Sequence, residues 1–105
     1  MHSGKLALRV NGTDYFNLYD TLINDNVWRH ITYVVKPSTG SATVDIYVNK
    51  TIVLSNFAIA LPNSSFTNTS ICQSLTTNQS AFTGYLYKFQ YFDHALDATD
   101  VSALY

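Results

Sequence analysis

The chain has 105 residues, of which 47% are hydrophobic, 14% aromatic and only 12% charged. This length suits one domain with a modest core, and the low charged fraction is about half that of an average soluble protein. The net charge of −1 comes without any cluster of Lys or Arg, which argues against a nucleic-acid partner. No apolar run is long enough to span a bilayer, so membrane insertion is not expected.

The first half of the chain alternates polar and apolar residues with a period of two, which predicts antiparallel strands with one buried face. Turn residues separate these stretches at Asn11-Gly12, at residues 37–40 and at Asn49-Lys50. The predicted strands are residues 5–10, 14–19, 28–35, 42–48 and 51–54.

The second half begins with a polar loop over residues 61–69 and a short predicted strand over residues 70–75. A longer aromatic strand is predicted for residues 83–92. Asp97 then suits the N-cap of a short helix that runs to the C-terminus. Roughly seven or eight strands and one helical turn predict an all-β, antiparallel sandwich and exclude helix-rich folds.

Two segments resemble one known family. The first is the Trp28-Arg-His-Ile-Thr-Tyr-Val strand with its returning strand, Val44-Asp-Ile-Tyr-Val-Asn-Lys-Thr-Ile-Val. The second is residues 82–105, which are similar to that family's closing strand and helix. The chain therefore resembles the laminin-G-like domains of the concanavalin A-like lectin/glucanase superfamily. This resemblance implies a jelly-roll β-sandwich with a short C-terminal helix.

The resemblance also implies which side chains lie between the two sheets, because the family's Trp packs there. The spacing of Leu86, Phe89 and Tyr91 further indicates a β-bulge that lets the last strand curve. The expected core anchors are Trp28, Ile46, Val48, Leu86 and Phe89.

The resemblance covers the C-terminal part of such a domain. We expect residues 1–105 to be a single laminin-G-like domain that lacks its N-terminal strands. We therefore expect polypeptide from an upstream segment or a neighbouring subunit to complete the sheets, because open edges and exposed apolar faces invite pairing.

An enzymatic role is not expected, and no catalytic residue is assigned. Glycosidases with this fold use two Glu side chains, whereas all seven acidic residues here are Asp. The single Cys72 forms no internal disulfide and is interpreted as a small buried side chain rather than a reactive thiol. His30 is interpreted as a hydrogen-bonded structural residue rather than a metal ligand.

No cofactor is expected apart from calcium, which the resembled family holds through loop Asp side chains and carbonyl groups. The candidate ligands are Asp14, Asp20 and Asp25. They stand singly, without paired-carboxylate spacing, so the alternative is that they are solvated turn residues.

Five Asn-x-Ser/Thr sequons fall in or beside predicted turns and loops, where a glycan has room. They predict an extracellular or cell-surface glycoprotein. The five glycosylation candidates are Asn11, Asn49, Asn63, Asn68 and Asn78.

These observations leave two functions open. The first is an extracellular recognition module, part of a larger secreted or surface protein, which binds a glycan or a protein partner through its loops. The alternative is a structural protomer of an extracellular glycosylated fibre or sheath that assembles through open sheet edges. Discrete glycan-binding monomers would favour the first function, and filaments the second.

Overall fold

The computed structural model describes residues 4–10, 13–16, 18–60 and 84–104, and these contain two antiparallel sheets and one helix. The two-stranded sheet pairs β1 (Leu8–Val10) with β2 (Thr13–Tyr15). The three-stranded sheet has the order β3-β4-β5. Its strands are β3 (Ile31–Ser38), β4 (Ser41–Val48) and β5 (Thr51–Ile59), and the helix is α1 (Ala98–Leu104). No helix in the described part of the chain is long and apolar enough to cross a membrane.

Two-residue turns join the three strands of the larger sheet into a meander. Thr39-Gly40 connects β3 to β4, and Gly40 has a φ of +71°, a value that a side chain would disfavour. Asn49-Lys50 connects β4 to β5 as predicted, with Asn49 at a φ of +55°. The strands are longer than predicted at two points. β3 continues through Pro37, and β5 extends to Ile59.

One face of this sheet, which we call the core face, carries Val44 and Ile46 of β4, both fully buried. The smaller sheet contributes Val10 to the same core, and just before β1 the Ala7 carbonyl accepts a hydrogen bond from the Tyr33 hydroxyl at 3.0 Å. Burial raises the pKa of Tyr33 to about 12. The buried members of this core are Leu6, Val10, Leu18, Ala42, Val44, Ile46, Val48 and Ile59.

The opposite face, which we call the helix face, packs against α1. Val34 of β3 and Tyr47 of β4 are buried against Val101, which has no exposed surface, with Leu96 packed beside them. The sheet therefore buries both faces, and β4 lies at its centre. This double burial explains why five consecutive residues of β4 are buried, rather than alternate ones.

The start of α1 is fixed by two reciprocal hydrogen bonds. The backbone N–H of Asp100 donates to Asp97 Oδ1 at 2.8 Å, and the N–H of Asp97 donates to Asp100 Oδ2 at 3.2 Å. This is a capping box in which Asp replaces the usual Glu, and it confirms the predicted N-cap.

A polar group on the helix face holds β5 in an irregular path. The pairing of β4 with β5 shifts register on either side of Ile46, and Asn56 adopts a φ of +53°. Asp45 Oδ1 accepts the Asn56 backbone N–H at 2.8 Å, and Asp45 Oδ2 lies 2.9 Å from Lys36 Nζ. The Lys36 ammonium also donates to Asn56 Oδ1 at 2.7 Å. Asp45 is therefore the anchor of this bulge.

The structure corrects the predicted strands at three points. Residues 84–92 form no strand, so the predicted aromatic strand and its bulge are wrong there. The second strand, predicted for residues 14–19, ends at Tyr15. The third strand, predicted to begin at Trp28, begins at Ile31. The short strand predicted for residues 70–75 lies outside the described residues. The antiparallel sheets and C-terminal helix agree with a concanavalin A-like sandwich, whereas a complete jelly roll stays a prediction.

The core anchors divide into two groups. Ile46 and Val48 are buried, but Trp28 is 67% exposed, and Leu86 and Phe89 are each 55% exposed, so their predicted burial is wrong. Trp28 precedes β3, and the buried cluster on the helix face contains Val34, Tyr47 and Val101 but not Trp28 among the described residues. Leu86 and Phe89 lie on a segment without strand pairing, in a compact unit of residues 63–92 that is separate from the unit of residues 1–62 and 93–105.

Candidate binding surface

The connection between β2 and β3 is irregular but is tied to the start of the chain. The N–H of Leu18 donates to the Leu6 carbonyl at 3.1 Å, and the N–H of Ile23 donates to the Gly4 carbonyl at 2.7 Å. Gly4 has a φ of +78°, and a Cβ atom at this position would lie 2.8 Å from Asn24 Oδ1. These two hydrogen bonds and the close approach of Asn24 to Gly4 hold the connection beside residues 4–6.

This connection forms one wall of a surface depression of about 430 Å³. Leu18, Tyr19 and Asp20 line one side, and Val53 and Leu54 of β5 line the other. Leu18 is buried whereas Asp20 is exposed, so the depression combines apolar surface with a carboxylate that water can reach.

An ion pair between Asp25 and Arg29, which we call the brace, spans the backbone on either side of the exposed Trp28. Arg29 Nη1 and Nη2 donate to the two oxygens of Asp25 at 2.6 and 2.9 Å, and Asp25 Oδ1 also accepts the Val27 N–H at 3.3 Å. The hydrogen bond from Arg29 is the main cause that lowers the pKa of Asp25 to about 2. Reciprocally, the bond to Asp25 raises the pKa of Arg29, and the nearby Tyr19 adds to this effect.

Trp28 lies inside this brace with most of its indole in solvent. Val27 and Leu22 are also exposed, at 58% and 50%, and Asn26 turns the backbone with a φ of +61°. Large apolar side chains exposed close together in sequence are typical of interaction sites on soluble proteins. We call Tyr19, Asp20, Asp25, Trp28 and Arg29 the Trp28 surface.

The calcium candidates do not form a common site in the described part of the chain. Asp14 lies 3.1 Å from Arg9 Nη1, and Asp25 is held by Arg29, while Asp20 lines the depression. No group of three or more His, Cys or acidic side chains among the described residues could hold a metal ion.

Of the five sequons, the described residues include only that of Asn49. Its Oδ1 accepts the His30 N–H at 3.1 Å, and its own N–H donates to the His30 carbonyl at 2.7 Å. His30 Nδ1 lies 3.5 Å from Thr32 Oγ1, as expected for a structural residue. Outside the described residues lie Asn11, Asn63, Asn68, Asn78 and Cys72.

Sequence reasoning named Asp20 and Asp25 only as calcium candidates, and it missed Tyr19, Arg29 and the exposure of Trp28. The four-residue spacing of Asp25 and Arg29 around Trp28 is a signal that could have indicated a brace. Tyr19 carried no such signal, because its place in the depression depends on its position beside β5, which is distant in sequence.

Two antiparallel sheets and a short helix define a β-rich domain, and Trp28 is exposed on its surface. A sequence model of the Laminin_G_3 family, in the concanavalin A-like lectin/glucanases superfamily, matches residues 1–102. The chain belongs to this family, which confirms the resemblance in its sequence. Domains of this kind are typically non-enzymatic modules that bind carbohydrate or protein, and they are usually extracellular. Neither a curated protein nor a solved structure matches the chain.

Proposed function

We propose that the chain is a non-catalytic, extracellular recognition module that binds a glycan at the Trp28 surface. The observation that carries the proposal is the 67% exposure of Trp28 beside a two-point Asp25–Arg29 ion pair. An exposed indole stays in water at a free-energy cost unless a ligand covers it. The ion pair holds the backbone on both sides of Trp28, so little ordering remains to be done when a ligand arrives.

The chemistry of the surface suits a sugar ring. A pyranose has an apolar C–H face that can stack on an aromatic ring, and hydroxyl groups at its edge that need donors and acceptors. Trp28 offers the ring, while Tyr19 and Asp20 offer a hydroxyl and a carboxylate.

The acidic residues support binding rather than glycoside hydrolysis. Hydrolysis requires two carboxyl groups that flank the scissile bond, one of them available as an acid. Six of the seven Asp side chains already have structural partners. They are Asp14 with Arg9, Asp25 with Arg29, Asp45 with Lys36, Asp93 with His94, and Asp97 with Asp100. Only Asp20 is without such a partner among the described residues.

The test is binding of the purified chain to a glycan array, followed by titration of the best glycan against variants. Trp28→Ala should weaken binding at least tenfold, and Trp28→Tyr should retain most of it, because a ring remains. Tyr85→Ala is the matched control, since Tyr85 is an exposed aromatic residue of the other compact unit. Binding that is unchanged in Trp28→Ala, or lost in Tyr85→Ala alone, would contradict the proposal.

The extracellular part of the proposal is supported by the sequons and by the usual location of the family. After passage through a eukaryotic secretory pathway, we expect a glycan on at least one of Asn63, Asn68 and Asn78. Mass spectrometry before and after enzymatic deglycosylation measures this. Finding all five sequon Asn residues unmodified in native protein would indicate a cytoplasmic or bacterial origin instead.

The second candidate function is a structural protomer of a fibre or sheath, which the sheet edges favour. Among the described residues, neither β3 nor β5 has a strand partner on its outer side. Unpaired N–H and C=O groups on such edges can template another strand. Electron microscopy of concentrated protein tests this function: filaments would support it, and discrete particles would contradict it.

A further inference from the structure

The two edge strands of the larger sheet differ in how well they could accept another strand. β5 is interrupted by two register shifts, and one backbone N–H within it and one just after it are bonded to side chains. The Asn56 N–H donates to Asp45, and the N–H of Ala60, just beyond the strand, donates to the Tyr15 hydroxyl at 2.7 Å. β3 pairs with β4 over all eight of its residues without a shift. β3 is therefore the regular edge, and β5 the protected one.

The pairing of β3 with β4 fixes which backbone groups of β3 point outward. The Asn49 N–H donates to the His30 carbonyl, so His30 and Asn49 oppose each other as a hydrogen-bonded pair. Such pairs alternate along an antiparallel ladder, so Thr32, Val34 and Lys36 bond to β4. The N–H and C=O groups of Ile31, Tyr33 and Val35 consequently point away from β4. The backbone of Pro37 also points away from β4, so its missing N–H removes no hydrogen bond between β3 and β4.

We propose that β3 pairs with β3 of a second copy of this chain, antiparallel, about a two-fold axis at Tyr33. In this register Tyr33 opposes itself, and Ile31 opposes Val35 of the other copy. All three outward residues then meet one another. Shifting this register by two residues in one direction would bring Arg29, which precedes β3, into the pairing. Shifting it by two residues in the other direction would place Ile31 opposite Pro37, which has no N–H to donate.

The side chains agree with this register. Every cross-strand pair between residues 31 and 35 joins aromatic or β-branched side chains, which are those that stabilise strand pairing best. No residue of that range carries a charge, so no like charges oppose each other at the centre of the interface. Because the β5 edges stay protected, two-fold pairing closes on itself and gives a dimer rather than a fibre. The dimer does not depend on glycan binding at the Trp28 surface.

The test measures mass against concentration by analytical ultracentrifugation of the full chain. Wild-type protein should approach the mass of a dimer, and Val35→Pro should weaken the dimer at least tenfold, because it removes one outward N–H and leaves the ladder with β4 intact. Ala58→Pro is the matched control, since the Ala58 N–H points outward from β5 by the same alternation. It should dimerise like wild type.

A wild-type chain that stays monomeric throughout, or a Val35→Pro variant that dimerises as tightly as wild type, would overturn the proposal. Amide hydrogen exchange of the wild type keeps the test decisive if Val35→Pro does not fold. Exchange at Ile31, Tyr33 and Val35 should slow at least tenfold at dimer concentrations and recover on dilution. Slow exchange that is independent of concentration in a monomer would overturn it in favour of pairing within one chain, and fast exchange at all concentrations would also overturn it.

Discussion

The two faces of the larger sheet are stabilised in different ways. The core face is covered by a broad set of apolar side chains drawn from both sheets. The helix face has a small cluster of Val34, Tyr47 and Val101 beside the polar group of Lys36, Asp45 and Asn56. Apolar burial is not directional, whereas hydrogen bonds are. The core face therefore contributes most of the stability, and the helix face determines the path of β5.

The largest expected effect comes from the centre of the core face. Ile46→Ala should lower the free energy of unfolding by about 2–5 kcal/mol, because Ile46 is completely buried and its truncation leaves a cavity. Urea unfolding measures the loss. The matched control is Ile52→Ala on β5, where Ile52 is 43% exposed and should cost less than about 1 kcal/mol. Equal losses of unfolding free energy for the two variants would contradict the claim that burial in the core face contributes most of the stability.

The helix face offers the next largest effect, at Val101. Val101→Ala removes two buried methyl groups and should cost about 1.5–2.5 kcal/mol, less than Ile46→Ala because fewer atoms are lost. Ser102→Ala, on the exposed side of α1, is the control and should be nearly neutral. Thermal unfolding followed by circular dichroism compares them. A cost for Val101→Ala above that of Ile46→Ala would reverse the proposed ranking of the faces.

The polar group tests whether directional bonds determine the path of β5. Asp45→Ala should cost about 1–3 kcal/mol, because it leaves the Asn56 N–H without its acceptor. Asp45→Asn keeps an oxygen acceptor but loses the charge opposite Lys36, so its cost should be smaller. Amide NMR spectra report the bulge directly, since the Asn56 signal should shift strongly in Asp45→Ala and weakly in Asp45→Asn. Equal shifts would show that the acceptor does not hold the bulge.

The smallest effect is expected at the surface, in the Asp25–Arg29 brace. The pKa of Asp25 is lowered from 3.8 to about 2 by Arg29. A lowered pKa in the folded state stabilises the fold at pH values above about 4, and this contribution disappears as the pH falls through about 2. An NMR titration of the Asp25 carboxyl should show the shift, and Arg29→Gln should raise the pKa towards its ordinary value. Arg9→Gln is the control and should leave Asp25 unchanged, since Arg9 pairs with Asp14.

Features that depend on residues close in sequence were predictable. Features that depend on which distant part of the chain packs over a side chain were not. The β4 strand over residues 42–48, the Asn49-Lys50 turn and the Asp97 cap all rest on local geometry, and the structure contains them, although β4 is buried on both faces rather than on the one face predicted. The burial of Trp28 depended on which element would cover it, and a period of two cannot specify that.

The bulge in β5 lies between these cases. The alternation of apolar residues breaks at Ser55-Asn56, which is a signal of irregular pairing that the prediction did not use. No pattern in the sequence indicates that Asp45 anchors this bulge, because its partners come from both neighbouring strands. The exposed Trp28 surface could not be predicted from the family motif, since that motif implied burial.

The position of α1 on the sheet has a consequence for the order of folding. Two-residue turns join β3, β4 and β5, so their contacts form between residues close in sequence. Val101 reaches Val34 only after the chain has closed a loop that contains β4, β5 and all residues up to α1. Closing so long a loop costs entropy, so we expect the three strands to assemble before the helix docks. In stopped-flow experiments, Ile46→Ala should then slow refolding, whereas Val101→Ala should mainly accelerate unfolding.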